Sequence, residues 1–253
     1  MGGEQVEGRQ AVAELLAARR RPVVDVWMAQ DVSPAPVLER IEALAREARV
    51  ALRRVSRSRL DAEAATDAPQ GVLAHARPLP EAQLDDLARP AASPTQGAAR
   101  AQAPFLLAVD GVTDPHNLGA MLRSAEAAGA TGAILGRHRA VHVTPTVAKA
   151  AAGAIEHVPM AVVPGLPAAL ARAKELGCWV VGLAEDGDRS LFDDLPVATE
   201  PIVVVVGSEG AGLSRLARAR CDLVLNIPMR GRLPSLNVSA AAALALFEVS
   251  RRR

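Results

Sequence analysis

Short apolar runs recur along the chain after residue 104, and segments of helical periodicity separate them. The runs predict strands at 105–109, 132–135, 179–183, 202–206 and 223–227. The periodic segments predict helices near 118–128, 146–152, 166–176, 213–219 and 235–249. Strands that are apolar throughout and alternate with helices are typical of an α/β fold whose parallel sheet is covered on both faces.

The segment before residue 80 predicts a smaller α/β module. Its pattern indicates a helix at 8–19, a strand at 23–28, a helix at 36–48 and strands near 50–55 and 72–76. Between 80 and 103 the chain is rich in proline and alanine, which is typical of a linker, with one short helix at 84–87. We therefore predict domains at 1–80 and 104–253, joined by a linker at 81–103.

The composition supports a packed core, because 50% of the 253 residues are hydrophobic, although only 2% are aromatic and none is tyrosine. Cys178 and Cys221 have no CxxC partner and no histidine at metal spacing, so we expect reduced thiols and no metal site. The chain shows neither a signal-peptide pattern nor an apolar run long enough to span a bilayer. These features favour a cytoplasmic protein without a membrane segment.

The net charge is only +1, yet arginine is concentrated in one segment. Between 46 and 59 the chain contains six arginines and a single acid, Glu47. Such a cluster can follow the phosphates of a nucleic acid, and Arg53, Arg54 and Arg57 are our candidates for RNA contacts. A solvated helix face is an equally good interpretation of the cluster alone.

Three of the predicted C-terminal strands end in polar loops, and open parallel sheets bind ligands at the carboxyl ends of their strands. The first loop, 110–119, contains Asp, His and Asn, and Arg123 follows it in the next helix. As structure alone, this loop is an ordinary strand-to-helix connection in which Asn117 can cap the helix.

The second loop, 207–212, reads Gly-Ser-Glu-Gly-Ala-Gly. Its glycine spacing differs from the dinucleotide fingerprint and no Gly-Lys-Ser/Thr follows, so a nucleotide-phosphate site or a nucleotide-dependent oxidoreductase is disfavoured. Glu209 would repel a phosphate, which makes a cationic or neutral ligand more plausible. Alternatively, Glu209 only offsets the dipole of the following helix.

The third loop, 227–239, contains Arg230 and Arg232 followed by Asn237 and Ser239. Asn237 and Ser239 can cap the next helix, whereas the two arginines suit an anionic polymer. His138 and His142 have no partner at metal spacing and are interpreted as surface residues. No nucleophile elbow or Ser-His-Asp order supports hydrolase chemistry.

Together the three loops resemble the three motifs of the SpoU (TrmH-type) branch of the SPOUT RNA 2'-O-ribose methyltransferases. The first motif is Asp-Gly-Val-Thr-Asp-Pro-His-Asn-Leu-Gly at 110–119 with Arg123, the second is 207–212, and the third runs from Ile227 through 235–239. The match covers 104–250. The segments Gly-Arg-Gln-Ala-Val at 8–12 and Gln-Gly-Val at 70–72 are similar to the L30e-like RNA-binding domain of members that modify a guanosine in 23S ribosomal RNA.

This resemblance implies a C-terminal deep trefoil knot and S-adenosyl-L-methionine as the methyl donor. The cofactor positions that it implies are Gly207, Ile227 and Leu236, with Met229 and Ser235 lining the same slot. An adenine ring needs apolar walls and main-chain hydrogen bonds, and a sulfonium ion does not tolerate a fixed cation beside it.

The resemblance assigns the catalytic centre to Asn117, Arg123, Glu209, Ser235 and Asn237. A guanidinium is not deprotonated in proteins, so we favour Arg123 as an anchor for a phosphate or an oxyanion. Glu209 is then a possible proton acceptor or an organiser of Arg123, while the two asparagines orient the ribose.

The implied function is methylation of a ribose 2'-hydroxyl, on a guanosine of 23S ribosomal RNA or of a pre-50S particle. The resemblance also implies a homodimer to which the C-terminal helix contributes. Alternatives are a tRNA methyltransferase and a non-catalytic RNA-binding or ribosome-assembly protein of the same fold. The chain departs from the family at 230–234, where Arg230, Arg232, Leu233 and Pro234 replace small residues and predict a stiffer, more basic loop.

Overall fold

The computed structural model describes residues 1–92, 101–138 and 141–253. Residues 93–100 of the predicted linker therefore lie outside the described residues. The preceding part of the linker contains the helix α4, Leu84–Leu87, at the predicted position.

The N-terminal unit is a four-stranded sheet with helices. Strands β1 (Gln5–Glu7), β2 (Val23–Ala29), β3 (Ala51–Val55) and β4 (Val72–Ala76) are ordered β1-β4-β2-β3, with only the β2–β3 pair parallel. Helices α1 (Arg9–Ala18) and α2 (Pro36–Glu47) pack on it as the apolar pattern predicts. The sequence pattern missed β1, which is three residues long, and the charged helix α3 (Arg57–Glu63), which Ser56 caps by accepting from Arg59 N.

The C-terminal unit is built on a seven-stranded sheet whose neighbouring strands all pair in parallel, which confirms the predicted α/β architecture. Its order is β11-β13-β10-β12-β7-β8-β9. The strands are β7 (Phe105–Val109), β8 (Gly132–Gly136), β9 (Met160–Val163), β10 (Trp179–Leu183), β11 (Arg189–Ser190), β12 (Ile202–Val206) and β13 (Leu223–Asn226). A two-stranded pair, β5 (Ala91–Ala92) and β6 (Ala101–Gln102), precedes it.

The sheet has a core on each face because successive side chains of a strand point in opposite directions. Phe105, Leu107 and Val109 of β7 belong to one cluster of buried residues, and Leu106 and Ala108 belong to the other. The covering helices are α5 (Pro115–Ala127), α6 (Pro145–Ala150), α7 (Leu166–Glu175), α8 (Arg215–Arg218) and α9 (Val238–Arg252). None of the helices in the described ranges is long and apolar enough to cross a membrane.

Three features of the C-terminal unit differ from the prediction: an additional strand, the start of one helix and the cap of another. Strand β9 was not predicted, because prolines at both ends leave only four apolar residues at the edge of the sheet. Helix α9 begins at Val238 rather than at 235, since Asn237 is its cap and accepts from Ser239 N and Ala240 N. The predicted cap of α5 was wrong: Asp114 caps that helix by accepting from His116 N, and Asn117 lies inside the first turn.

Helices α5 and α6 approach each other closely at Gly119. A Cβ at this position would lie 2.5 Å from Ala150 Cβ and 2.9 Å from the Val147 carbonyl oxygen. Both distances are shorter than van der Waals contact, so only glycine permits this spacing.

We predict that Gly119→Ala destabilises the protein by about 1–2 kcal/mol, because the cost of overpacking exceeds the gain in helix propensity. Urea denaturation measures the change. Ala127→Gly on the exposed side of α5 is the matched control, since it changes propensity alone. A Gly119→Ala variant as stable as the wild type would contradict the close-packing interpretation.

Candidate functional site

The first and second loops lie side by side because their strands pair directly. Strand β12 is hydrogen-bonded to β7, and Asp110 N donates to Val206 O at 2.8 Å just beyond the strand ends. The Asp110 carboxylate accepts from Ser214 N at 2.7 Å, on the far side of the second loop. This aspartate therefore joins the two loops, a role that the sequence pattern did not reveal.

A network of amides and carboxylates joins all three loops. Glu209 Oε1 accepts from Asn117 Nδ2 at 2.8 Å and from Asn237 Nδ2 at 2.9 Å. Asn237 Nδ2 also donates to Asn117 Oδ1 at 3.0 Å, and Asn117 Nδ2 donates to Asp114 Oδ2 at 3.1 Å. Each amide nitrogen carries two hydrogens, so both nitrogens are fully used.

The orientation of the Asn237 amide follows from its position at the start of α9. Its Oδ1 accepts from Ser239 N at 2.9 Å and from Ser239 Oγ at 2.6 Å. Because the oxygen faces the helix, the nitrogen faces Glu209 and Asn117. The capping role and the role in the network therefore require the same orientation of one side chain.

The second loop is a tight turn closed by backbone hydrogen bonds. Ser208 N donates to Gly212 O at 3.0 Å, and Gly212 N donates to Ser208 O at 2.9 Å. A Cβ on Gly207 would overlap the backbone of Gly212 and Leu213, while Gly210 and Gly212 have φ values of +77° and +63°. Glycine is therefore needed at 207 because no side chain fits there, and it is favoured at 210 and 212 because the backbone is left-handed there.

Beside this turn lies a cavity of about 830 Å³ between the second and third loops and the end of β10. A volume of this size accommodates a small organic ligand. Apolar side chains of Leu183, Leu225, Ile227 and Leu236 form part of its wall. The predicted cofactor residues all line this one cavity: Gly207, Ile227, Met229, Ser235 and Leu236.

The charges around the cavity suit a positively charged ligand. Glu185, Asp186 and Glu209 line it, and the one lining cation among the described residues, Arg218, is paired with Asp186 at 2.6 Å. In this part of the chain no unpaired cation is therefore directed at a sulfonium ion, and apolar surface is available for an adenine. The residues present fit S-adenosylmethionine. The sequence pattern did not single out Glu185 or Asp186.

The predicted catalytic residues do not all meet. Glu209, Ser235 and Asn237 line the cavity, and Asn117, which is 7% exposed, lies behind Glu209. Arg123 is exposed on α5 and does not line the cavity, and the structure records no hydrogen bond between Arg123 and Glu209 in the described part of the chain. The alternative in which Glu209 orients Arg123 therefore has no contact to support it.

The predicted RNA-binding arginines of the N-terminal unit have acidic partners. Arg53 pairs with Asp25 at 3.3 Å, Arg57 pairs with Asp31 at 3.2 Å, and Arg54 pairs with Glu42. These acids are distant in the sequence, so the pattern overestimated the positive charge of the segment. Arg230 and Arg232 of the third loop are exposed.

Comparison with known proteins gives two family matches. The model described as the SpoU rRNA Methylase family matches residues 104–247. The model described as RNA 2'-O ribose methyltransferase substrate binding matches residues 5–82. The two matches correspond to the C-terminal and N-terminal units.

Individual relatives match over nearly the whole chain. The 23S rRNA (guanosine-2'-O-)-methyltransferase RlmB of Pseudomonas putida is 39% identical, over 99% of this chain and 97% of its own. The protein of the same name from Shewanella oneidensis is also 39% identical, over 97% of this chain and 96% of its own. The crystal structure of the SpoU methyltransferase AviRb from Streptomyces viridochromogenes in complex with AdoMet superposes with a TM-score of 0.76 at 26% identity, covering 98% of this chain and 89% of AviRb.

We predict that Glu209→Ala lowers the free energy of unfolding by about 1–2 kcal/mol, because two amide donors lose a charged acceptor. Guanidinium denaturation measures the loss. Glu209→Gln keeps an acceptor oxygen at the same place and should lose less than half as much. Equal losses for the two variants would show that the shared oxygen does not hold the loops together.

Proposed function

Because the chain belongs to the SpoU rRNA methylase family, we propose that it is an enzyme that transfers a methyl group to a ribose 2'-hydroxyl of a guanosine in 23S ribosomal RNA. The observation that carries the proposal is the Glu209 network beside the cavity, at the three loops that match the family motifs. Relatives named for this reaction match the chain over almost its full length.

The cofactor is S-adenosylmethionine, which supplies a methyl group activated by a positively charged sulfur. Gly207, Ile227, Met229, Ser235 and Leu236 would hold it, since all five line the cavity. The acidic lining favours a cation, and the apolar wall excludes water from part of the ligand.

Glu209 is our proposed proton acceptor for the ribose hydroxyl. Its Oε1 is occupied by the amides of Asn117 and Asn237, whereas no donor to Oε2 is recorded within the described ranges. The occupied oxygen fixes the carboxylate, and the other can face the substrate. Asn117 and Asn237 are positioning residues, and Ser235 lies at the boundary between the cofactor and the ribose. Alignment of the reacting atoms can supply much of the acceleration.

Arg123 is our proposed anchor for the RNA backbone. Its guanidinium stays protonated, and its exposed position on α5, outside the cavity, suits contact with a phosphate rather than with the cofactor. Arg230 and Arg232 on the exposed third loop would extend this contact along the RNA strand.

The N-terminal unit would hold a separate part of the RNA. Its match to a substrate-binding model supports this role. We propose that the chain forms domains at 1–80 and 104–253, joined by the linker 81–103. Arg53, Arg54 and Arg57 would contact phosphates by exchanging their acidic partners for the RNA. We propose that the substrate, naked 23S RNA or a pre-50S particle, is met in the cytoplasm.

Two further features belong to the proposal. The first is the trefoil knot, which the strand order supports. Strand β13 lies on the far side of β10 from β12, and the chain after β13 returns so that Asn237 contacts Glu209 in the loop after β12.

The second is a homodimer, which α9 supports. Its Leu244 and Phe247 are 40% and 50% exposed and lie on the same face of the helix as Ala240.

The direct test is incubation of the protein and labelled S-adenosylmethionine with unmodified 23S ribosomal RNA and with tRNA, followed by mapping of the label. We expect label on a guanosine 2'-oxygen of the ribosomal RNA. Label only on tRNA would favour the tRNA alternative, and no transfer to either RNA would favour a non-catalytic RNA-binding protein.

We predict that Arg123→Ala lowers kcat/KM for the RNA about hundredfold, because losing a hydrogen bond to a charged group costs about 1.5–3 kcal/mol, and leaves the Kd for S-adenosylmethionine unchanged. Calorimetry and the transfer assay measure the two quantities. Arg220→Ala, which also removes an exposed arginine but follows α8 on the other face of the sheet, should keep full activity. Loss of cofactor binding in the Arg123→Ala variant would contradict its role as an anchor.

We also predict that Phe247→Glu weakens dimerisation at least about tenfold, because a charge then occupies an apolar contact surface. Sedimentation velocity over a concentration series measures the dissociation constant. Leu216→Glu, which replaces a residue that is 58% exposed on α8, is the control and should leave the dimer intact. A wild-type chain that sediments as a monomer would rule out the dimer.

A further inference from the structure

The N-terminal unit is docked on the C-terminal unit through a buried ion pair. Arg21 Nε and Nη2 donate to the two carboxylate oxygens of Glu156, at 3.1 and 2.5 Å. Both side chains are almost fully buried, with exposed fractions of 2% and 1%. Arg21 Nη1 also donates to Gly3 O and Arg77 O at 2.6 and 2.7 Å. All three nitrogens of the guanidinium donate hydrogen bonds, so both the position and the orientation of the Arg21 side chain relative to Glu156 are fixed.

Additional polar contacts surround the ion pair. Arg20 donates to the carbonyl oxygens of Ile155 and Val158 at 3.3 and 3.2 Å. His157 Nε2 lies 2.9 Å from Glu14 Oε2. These contacts connect α1 and the loop between α1 and β2 to the short 3-10 turn Ala154–Glu156, which follows α6, and to the two residues after that turn. The interface therefore extends beyond a single pair of charges.

Glycines bring the two units into contact at both ends of this interface. Gly2 forms a β-bridge with Val143, and a Cβ on Gly2 would lie 2.5 Å from Val143 O. Gly153, with φ +92°, faces α1, where a Cβ would overlap Glu14 Cβ and lie 2.8 Å from Glu14 Cγ. Any side chain at these positions would push the units apart, so the spacing is set by backbone contact.

The segment that contacts the N-terminal unit packs directly on α5, the helix that contains Asn117 of the candidate site. The N-terminal unit rests on the segment 143–158, and α6 in that segment packs on α5 at Gly119. Asn117, two residues before Gly119, donates to Glu209. A continuous set of close contacts thus joins the RNA-binding unit to the Glu209 network.

We propose that this interface sets the distance between the bound RNA element and the methyl-acceptor site, so that Arg21, Gly153 and Glu156 determine which nucleotide is methylated. The inference rests on the proposed function, because it requires an RNA held by the N-terminal unit. When one part of an RNA is held by the N-terminal unit, the distance from that unit to the cavity determines which nucleotide reaches the methyl donor. None of these three residues lines the cavity, so they are positioning residues.

The test is Gly153→Ala, which inserts one methyl group between the units. Gly177→Ala is the matched control, because Gly177 has the same φ of +92° and no heavy atom within 4 Å of an added Cβ. The two variants therefore carry similar backbone strain, and only Gly153→Ala presses on the neighbouring unit. Transfer to unmodified 23S ribosomal RNA is measured per S-adenosylmethionine-binding site, which corrects for any unfolded protein, and the label is mapped.

For Gly153→Ala we expect at least a tenfold fall in kcat/KM at the wild-type nucleotide, with new label on neighbouring nucleotides. For Gly177→Ala we expect a change of less than twofold and one unchanged site. The Kd for S-adenosylmethionine should change less than twofold in both. Glu156→Gln leaves Arg21 without its charged partner. Like Gly153→Ala, it should reduce the label at the wild-type nucleotide and add label on neighbouring nucleotides.

A second-site change separates spacing from local strain. Glu14→Gly removes the atoms that the new methyl group would meet, so Gly153→Ala combined with Glu14→Gly should recover at least threefold in kcat/KM relative to Gly153→Ala alone. Equal activity and an identical site for Gly153→Ala and Gly177→Ala would overturn the inference while leaving the proposed function intact. A wild-type protein that transfers no methyl group to RNA would instead overturn the proposed function, and this inference with it.

Discussion

The hydrogen bonds to the Glu209 carboxylate are the interaction on which the site depends. One oxygen accepts from two amides that lie 92 and 28 residues away along the chain. The three strand ends are close to one another because of the sheet, but pairing of strands leaves the loops beyond them free to take many conformations. The shared acceptor reduces these to one arrangement. Because each amide is also tied to Asp114 or to the start of α9, the carboxylate is held on a rigid support.

The same arrangement separates the chemical roles. The cavity side of the second loop is apolar and acidic, and its single lining arginine in the described part of the chain is paired with Asp186. The basic side chains of the third loop and α5 face solvent outside the cavity. A positive donor and a polyanionic acceptor need opposite electrostatic surroundings, and the two loop surfaces provide them within a short distance of each other.

Close approach of backbones recurs wherever the site is positioned. Gly207 permits the turn that carries Glu209, Gly119 permits the contact between α5 and α6, and Gly153 permits docking of the N-terminal unit. At each of these positions a methyl group would meet backbone or a Cβ atom, neither of which can move away as the end of a flexible side chain can. The consequence is a set of distances determined by covalent geometry rather than by adaptable side chains.

The sequence alone determined the parallel sheet, most of its strands and helices, and the three loops, because apolar periodicity and glycine, proline and asparagine positions are local signals. It also indicated the cavity residues, but only through the resemblance to a known family, because no pattern of periodicity or spacing pointed to them. Only the tertiary structure decided that Asp114 rather than Asn117 caps α5, that acids distant in the chain pair with Arg53, Arg54 and Arg57, and that Arg21 meets Glu156. The ion pairs join residues 12 to 135 positions apart along the chain, their partners depend on how the strands are ordered, and no local pattern encodes that order. The cap of α5 is a local contact, and the pattern did not decide it because Asp114 and Asn117 are both residue types that cap helices.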